Sequence, residues 1–239
     1  QLELRILAEV TQDPTLLGYI QAGRDLHEET GRYIAELKGE PYGRGTGFDD
    51  RFDGKTANFA WFYGAEWWKL ATVARTNPRT RHGYTVGHEL HQFLTEKFGG
   101  VQAWIDNTKN TLRTSGYVCN LFGRRRRLGV CDNFNTPEGG RLLRQALNAP
   151  IQGGAGDLVK IILYDIYRKC LTLGLESGII NTVHDSVDME ITEGEREEVV
   201  EMVRESFLHP PVEEFFGFNL AVPLGVEIGI GRNWGEAKP

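Results

Sequence analysis

The stretch RFDGKTANFAWFYG, residues 51–64, decides how this sequence is read. Arg51, Lys55, Phe59 and Tyr63 recur at steps of four, so a helix would line them along one face. Two fixed cations followed by two rings suit a ligand with phosphates at one end and a base or sugar at the other. The same spacing also fits an exposed basic turn that leads into core aromatics, and spacing alone leaves both readings open. The helix is expected to start between Phe52 and Lys55 and to run to about Tyr63.

Outward from that helix the pattern stays mostly helical. On its N-terminal side, Asp25 to Glu28 forms a capping box for a helix that ends near Lys38 and Gly39. Asp13 and Pro14 resemble a cap followed by a proline in the first turn, with Leu16, Leu17 and Ile20 as the apolar face and Gly23 as the stop. Residues 39–50, rich in Gly, Pro and Asp, read as a loop. On the C-terminal side, helices are expected over 65–75, 84–98 and 101–112, broken at Asn77 with Pro78 and at Gly99 with Gly100. Residues 116–122 read as a strand, and Gly123 turns it into the run Arg124 to Arg127 as a hairpin. Helices follow over 138–149 and about 153–173, with Pro150 expected to kink or end the first of them.

The two ends look different. Leu2 and Leu4 alternate with Glu3 and Arg5, which reads as the end of a strand before Ile6, Leu7 and Val10 switch to helical spacing. Residues 179–184 and 187–191 make a short strand pair around Asp185 and Ser186. Thr192 to Glu195 reads as a capping box for a helix that reaches Leu208. Leu224, Val226, Ile228 and Ile230 then alternate as a half-buried strand. A helical middle flanked by strand-bearing ends is the layout of an insertion into a sheet domain.

Composition sets the outer limits. The 239 residues are 40% hydrophobic and 25% charged, which excludes a disordered or fibrous chain. No apolar run reaches the roughly 20 residues of a membrane span. Three cysteines, Cys119, Cys131 and Cys170, are too few for a disulfide scaffold and show no zinc spacing. Residues 1–150 carry 20 Lys and Arg against 17 Asp and Glu, whereas the remainder carries 7 against 16. A net charge of -6 therefore does not exclude a nucleic-acid partner, because the local field decides.

Several smaller patterns carry chemistry. Arg144, Asn148 and Gln152 repeat the step of four with hydrogen-bond donors, which suits the acceptors of a DNA minor groove or a plain solvated face. Arg124, Arg125 and Arg126 at a strand turn suit backbone phosphate or, equally, plain solvated charge. His184 and Asp185 lie at a hairpin tip, where an acid suits a divalent cation or is an ordinary turn residue. No second carboxylate nearby completes a metal site. His27, in a first helical turn, could meet an anion, though a satisfied surface or core histidine is the commoner case for such a residue on its own.

Taken in order, these motifs resemble the polymerase domain of family A DNA polymerases, the group of bacterial DNA polymerase I and its phage relatives. QLELRILAEVTQDP (1–14) is similar to the tail of the first catalytic motif, and AGRDLH (22–27) to the segment with a phosphate-contacting histidine. RFDGKTANFAWFYG resembles the nucleotide-binding helix of the fingers, and GYVCNLFGRRRR (116–127) the basic hairpin. RQALNAPIQGGAGD (144–157) resembles the template-contacting motif, VHDSVD (183–188) the last catalytic motif, and GVEIGIGRNWGEAK (225–238) the family's ending.

The resemblance implies an α+β fold: a palm of small antiparallel sheet with packed helices over 1–12 and 139–239, and a largely helical fingers insertion over 13–138, with no thumb. It implies template-directed DNA synthesis from dNTPs on a primer 3′-OH, with two Mg2+ ions as cofactors and primer-template DNA and dNTP as partners. It further implies a monomer that touches no membrane and works in the cytoplasm of a bacterial cell or phage-infected host. Asp185, His184 and Lys55 become the catalytic candidates, with Asp185 the metal ligand and His184 beside the primer terminus. Arg51, Lys55 and His27 would hold the triphosphate, Phe59 would stack near the sugar, Tyr63 would guard the nascent pair, and Glu3 would exclude ribonucleotides. Arg144, Asn148, Gln152, Arg124, Arg125 and Arg126 become the DNA-binding set. The family's first catalytic Asp would precede Gln1 by three residues, so the chain alone is expected not to extend a primer. Ser186 stands where the family usually has Glu, and Ala60 where Gly is common. The triplet of His184, Asp185 and Ser186 also matches phage-type RNA polymerases, which leaves such an enzyme, or a primer-template binding module that has lost catalysis, as alternatives.

Overall fold

A computed structural model describes residues 2–43 and 50–237; the central part of the expected 39–50 loop lies outside the described residues. The chain runs α1 (Leu2–Thr11), α2 (Pro14–Gln21), α3 (Leu26–Lys38), α4 (Asp50–Phe62), α5 (Trp67–Val73), α6 (Arg81–Lys97) and α7 (Gly99–Thr114). There follow β1 (Tyr117–Cys119), β2 (Arg125–Arg127), α8 (Pro137–Leu173), β3 (Gly178–Val183), β4 (Ser186–Glu190), α9 (Arg196–Leu208) and α10 (Val212–Phe216). Each pair of strands forms a two-stranded antiparallel sheet, so the α+β expectation is met. Among the described residues no helix is long and apolar enough to cross a membrane.

The chain divides into two compact units. One comprises Val10–Cys119 and Arg125–Pro150. Its core is made of long side chains with no more than 1% exposure, among them Leu16, Trp61, Phe62, Leu70, Leu90, Leu94, Phe98, Leu112 and Leu147. Phe98 meets Phe62 edge-on at 5.6 Å and Trp61 at 6.2 Å. Asp13 is buried because it caps two helices at once. One carboxylate oxygen accepts from Leu16 N at 2.8 Å to start α2, and the other accepts from Gly100 N at 2.7 Å to start α7. Gly99 and Gly100 are therefore the first turn of α7 rather than a gap between helices. A Cβ on Gly100 would stand 2.8 Å from the Asp13 Cα.

The other unit comprises Gln1–Glu9, Asn120–Arg124 and Ile151–Pro239. Ile6, Leu7, Leu158, Ile162, Ile166, Val199, Met202, Val212 and Val222 are among its buried apolar residues. Leu2 to Arg5 are helical, not extended. Leu2 to Arg5, all half-buried, form the first turn of the helix whose next turn buries Ile6, Leu7 and Ala8. Leu224, Val226 and Ile228 are half-buried and alternate with exposed Gly225 and Glu227, yet Ile230 is exposed and no strand is formed over 223–231. A strand needs a ladder partner, and here α1 side chains take up the preceding backbone. The Glu9 carboxylate accepts from Ala221 N at 2.8 Å and Val222 N at 3.1 Å, and the Arg5 guanidinium donates to the Pro223 carbonyl.

Two further expectations are corrected. The helices expected over 138–149 and 153–173 are one helix of 37 residues with Pro150 inside it. Proline removes a single hydrogen bond, and regular turns on both sides carry the helix past it. Glu195 precedes α9 without capping it: its carboxylate accepts from Glu176 N, Ser177 N and Ser177 Oγ at 2.6–3.0 Å. The Ser177 and Glu176 hydrogen bonds hold the Glu195 pKa below the ordinary glutamate value.

Candidate nucleotide and nucleic-acid site

The crossing of α3 and α4 builds one candidate face. Gly31 on α3 and Gly54 on α4 let the two backbones touch. A Cβ on Gly54 would stand 2.5 Å from Gly31 N, and one on Gly31 would press into the Asp50 carbonyl. This approach brings the first turn of α3 beside the first two turns of α4. Asp25 fixes that corner, because one oxygen caps α3 through His27 N at 2.9 Å while the other accepts from the Arg51 guanidinium. Burial of Asp25 raises its pKa, but the Arg51 hydrogen bond and the two cap amides outweigh that and lower it overall.

The expected residues take distinct places on this face. Arg51 and Lys55 are exposed, one turn apart on α4, while Phe59 and Tyr63 are half-buried. The Phe59 ring lies 5.7 Å from the His27 ring and 6.4 Å from that of Tyr63. Tyr63 sits just past the end of α4, where Gly64 takes a left-handed turn at φ 79. His27 itself is buried, and burial pushes its pKa down to about 4; Asp25 opposes that shift, and Arg51 and Lys55 add to it. It is thus a neutral ring beside two cations. Asn58, fully buried one residue before Phe59, hydrogen-bonds to His27 Nδ1 at 3.1 Å. The sequence reading missed Asn58, Gly31 and Gly54. The recurrence of small and amide residues inside helix patterns was the available signal.

The hairpin and α8 carry the cationic candidates. Tyr117 pairs with Arg127, Val118 with Arg126 and Cys119 with Arg125, and all three arginines are exposed. The Arg125 guanidinium covers the Tyr117 ring at 5.1 Å. Arg124 differs from its neighbours. Its Nε donates to Asp157 of α8 at 2.9 Å, and a second guanidinium contact goes to the same carboxylate. Asn120 completes the arrangement, donating to Asp157 at 2.6 Å and accepting from Phe122 N and Arg124 N. Arg144, Asn148 and Gln152 lie at four-residue steps along α8, with Arg144 and Gln152 exposed and Asn148 half-buried.

In the unit that holds β3 and β4, Val183 pairs with Ser186, so His184 and Asp185 are the whole turn. His184 adopts φ 56, a left-handed conformation that a bulky side chain occupies at a cost. Ser186 Oγ donates to the Val183 carbonyl at 2.9 Å, which locks the tip. Asp185 is exposed there. In the same unit, Glu3 is half-buried in the first turn of α1.

With this geometry in place, the comparisons with known proteins fall into line. The family model of DNA polymerase family A matches residues 1–236. The chain belongs to DNA polymerase family A. It is 32% identical to the thermostable DNA polymerase I of Thermus filiformis over 100% of this chain and 26% of that protein. It is 31% identical to the DNA polymerase I of Chloroflexus aurantiacus over 100% of this chain and 24% of that protein. The chain thus spans about a quarter of the length of the curated relatives it matches. Among solved structures, it resembles the POL domain of Pol1 from M. smegmatis, a complex with DNA primer-template and dNTP. That match has a TM-score of 0.79 and 30% identity, and covers 99% of this chain and 39% of the other.

The family A assignment raises the matter of a cation. Among the described residues no group of three or more His, Cys, Asp or Glu side chains is gathered to hold a metal ion. Asp185 offers a single carboxylate at an exposed tip, as Mg2+ sites with one or two protein ligands use.

Proposed function

We propose that this chain is the nucleotide- and primer-handling part of a DNA polymerase that extends a primer 3′-OH with dNTPs. The observation that carries the reading is the α3–α4 crossing, which sets Arg51, Lys55 and Phe59 around the neutral His27. Phosphoryl transfer from a dNTP breaks a bond to pyrophosphate, and charge builds on the leaving group. Arg51 and Lys55 would neutralise that charge, and His27 would hydrogen-bond to a phosphate oxygen. Phe59 would pack beside the sugar and Tyr63 beside the new base pair, while Glu3 would crowd a 2′-hydroxyl. Arg144, Asn148 and Gln152 would read the minor groove, and Arg124, Arg125 and Arg126 would lie along the DNA backbone. His184 would stand by the primer terminus. Asp185 would be one ligand of Mg2+, whose chemistry when bound is to lower the charge on the reacting phosphate. The palm over 1–12 and 139–239, the fingers over 13–138, the monomeric state and the cytoplasmic setting belong to the same proposal.

Primer extension by the full polymerase that carries this chain tests it. Lys55→Ala and Asp185→Asn are each expected to cut the extension rate at least about 100-fold, on the scale of losing one transition-state contact, whereas Lys109→Ala leaves it unchanged. Full activity in both of the first two variants would overturn the proposal.

A further inference from the structure

Asn58 is fully buried, so its amide must spend its polar atoms on protein partners. Its Nδ2 stands 3.1 Å from His27 Nδ1 and 3.5 Å from the Leu26 carbonyl, while its Oδ1 lies 3.0 Å from Thr30 Oγ1. A carbonyl only accepts, so the amide edge turned toward Leu26 is the NH2 edge. Thr30 Oγ1 carries one proton and has two acceptors in reach, Asn58 Oδ1 at 3.0 Å and the Leu26 carbonyl at 3.1 Å; because the Leu26 carbonyl also faces the Asn58 NH2, donating that proton to Oδ1 leaves no atom of the Asn58 amide unsatisfied. The same NH2 group then donates to His27 Nδ1, which must offer a bare lone pair. A neutral imidazole with a bare Nδ1 carries its proton on Nε2.

We propose that Asn58 is a positioning residue that holds His27 in the neutral Nε2–H tautomer, so that the ring offers a nucleotide phosphate a hydrogen-bond donor and never a lone pair. The inference rests on the phosphate-binding role proposed above for His27 and says how that role is secured. Among the described residues the charged groups acting on the ring are Asp25 of the α3 cap and Arg51 and Lys55 of α4. Burial and the two cations keep the ring from ionising near neutral pH, so it adds direction to the phosphate contact and Arg51 and Lys55 add charge. Without Asn58 a neutral ring could equally point its lone pair at an oxyanion, which is repulsive.

The test is nitrogen NMR of the whole chain with 15N-labelled histidine, with His27→Gln used to assign the signal. At pH 7 the unaltered chain is expected to show a protonated Nε2 and an unprotonated Nδ1. In Asn58→Asp the carboxylate accepts at that position, so Nδ1 gains the proton and the ring's titration midpoint rises by about 1–3 pH units. A coupling through the hydrogen bond between Asn58 Nδ2 and His27 Nδ1 in the unaltered, uniformly labelled chain makes the same decision without any variant. A protonated Nδ1, a doubly protonated ring at pH 7 or an absent coupling overturns the inference. Addition of dATP is expected to move the Nε2 resonance and leave Nδ1 in place. An Nε2 that ignores saturating dATP refutes the phosphate-binding role while the tautomer assignment stands.

Discussion

Gly54→Ala asks whether backbone contact between α3 and α4 is what builds the proposed nucleotide face. The added methyl carbon would stand 2.5 Å from Gly31 N and 3.0 Å from Gly31 Cα, and closer still to the His27 carbonyl oxygen. Unstrained carbon contacts lie at about 3.5–4.0 Å, so the helices must part by roughly 1 Å at the crossing. Ala gains about 1 kcal/mol of helix propensity over Gly, and overpacking at a closed contact costs about 1–3 kcal/mol or more. Because the methyl group meets backbone atoms that cannot turn aside, the cost lies at the upper end of that range, and the expected net loss is about 2 kcal/mol. Gly18, exposed in α2 with nothing within 4 Å of its would-be Cβ, is the control, and Gly18→Ala should gain about 0.5–1 kcal/mol. Urea unfolding followed by tryptophan fluorescence reads both, since Trp61, Trp67, Trp68 and Trp104 all lie in this unit. An equal or higher urea midpoint for Gly54→Ala would refute the reasoning.

Other changes have equally definite outcomes. Asp13→Ala uncaps α2 and α7 together, so calorimetry should register about 2–4 kcal/mol lost, twice the usual cap. Asp165 is buried, which by itself raises its pKa, but hydrogen bonds from Lys169, Ser206 and Arg168 outweigh burial and lower it. A carboxylate depressed in the folded state contributes stability above its unfolded value and loses it as pH falls through the folded value. Stability of the unaltered chain should therefore decline below about pH 4, and Asp165→Asn should flatten that decline in a pH series of urea melts. His184→Gly relaxes the left-handed turn and should raise stability by about 1 kcal/mol. In the full polymerase the same change should slow primer extension, and a variant that is both more stable and fully active would remove His184 from the proposed site.

Local signals carried far in this sequence, and they failed where a distant partner decides. The caps of Asp13, Asp25 and Gly39 reach neighbours two to four residues away, and Pro14 sits in the first turn itself, so the starts of α2 and α3 and the end of α3 are found where these residues put them. The β3–β4 pair is likewise local, with His184 and Asp185 as its whole turn. Residues 223–231 carry the same alternation without becoming a strand, because Arg5 and Glu9, more than 200 residues away, bind the neighbouring backbone. Glu195 failed as a cap for the same reason: its carboxylate is taken by residues 176 and 177.

The candidate site divides along the same line. Arg51, Lys55, Phe59 and Tyr63 share a face by helical period alone, and that much needs no tertiary information. What gives the face a chemistry is His27, which comes from another helix, and nothing in the period of α4 indicates that α3 crosses it there. The cause lies in residues that helix propensity scores as defects. Gly31 and Gly54 each weaken their helix by up to about 1 kcal/mol relative to Ala, and each has another backbone where a methyl group would be. A glycine in a helix interior with no turn to make is therefore better read as a contact point than as a flaw. On that reading the Gly31 and Gly54 pair would have brought the segment from His27 to Gly31 against the start of the cationic helix. The buried amide of Asn58 then follows, since a polar side chain shut into such a crossing needs partners there, and it finds them in His27, Thr30 and the Leu26 carbonyl.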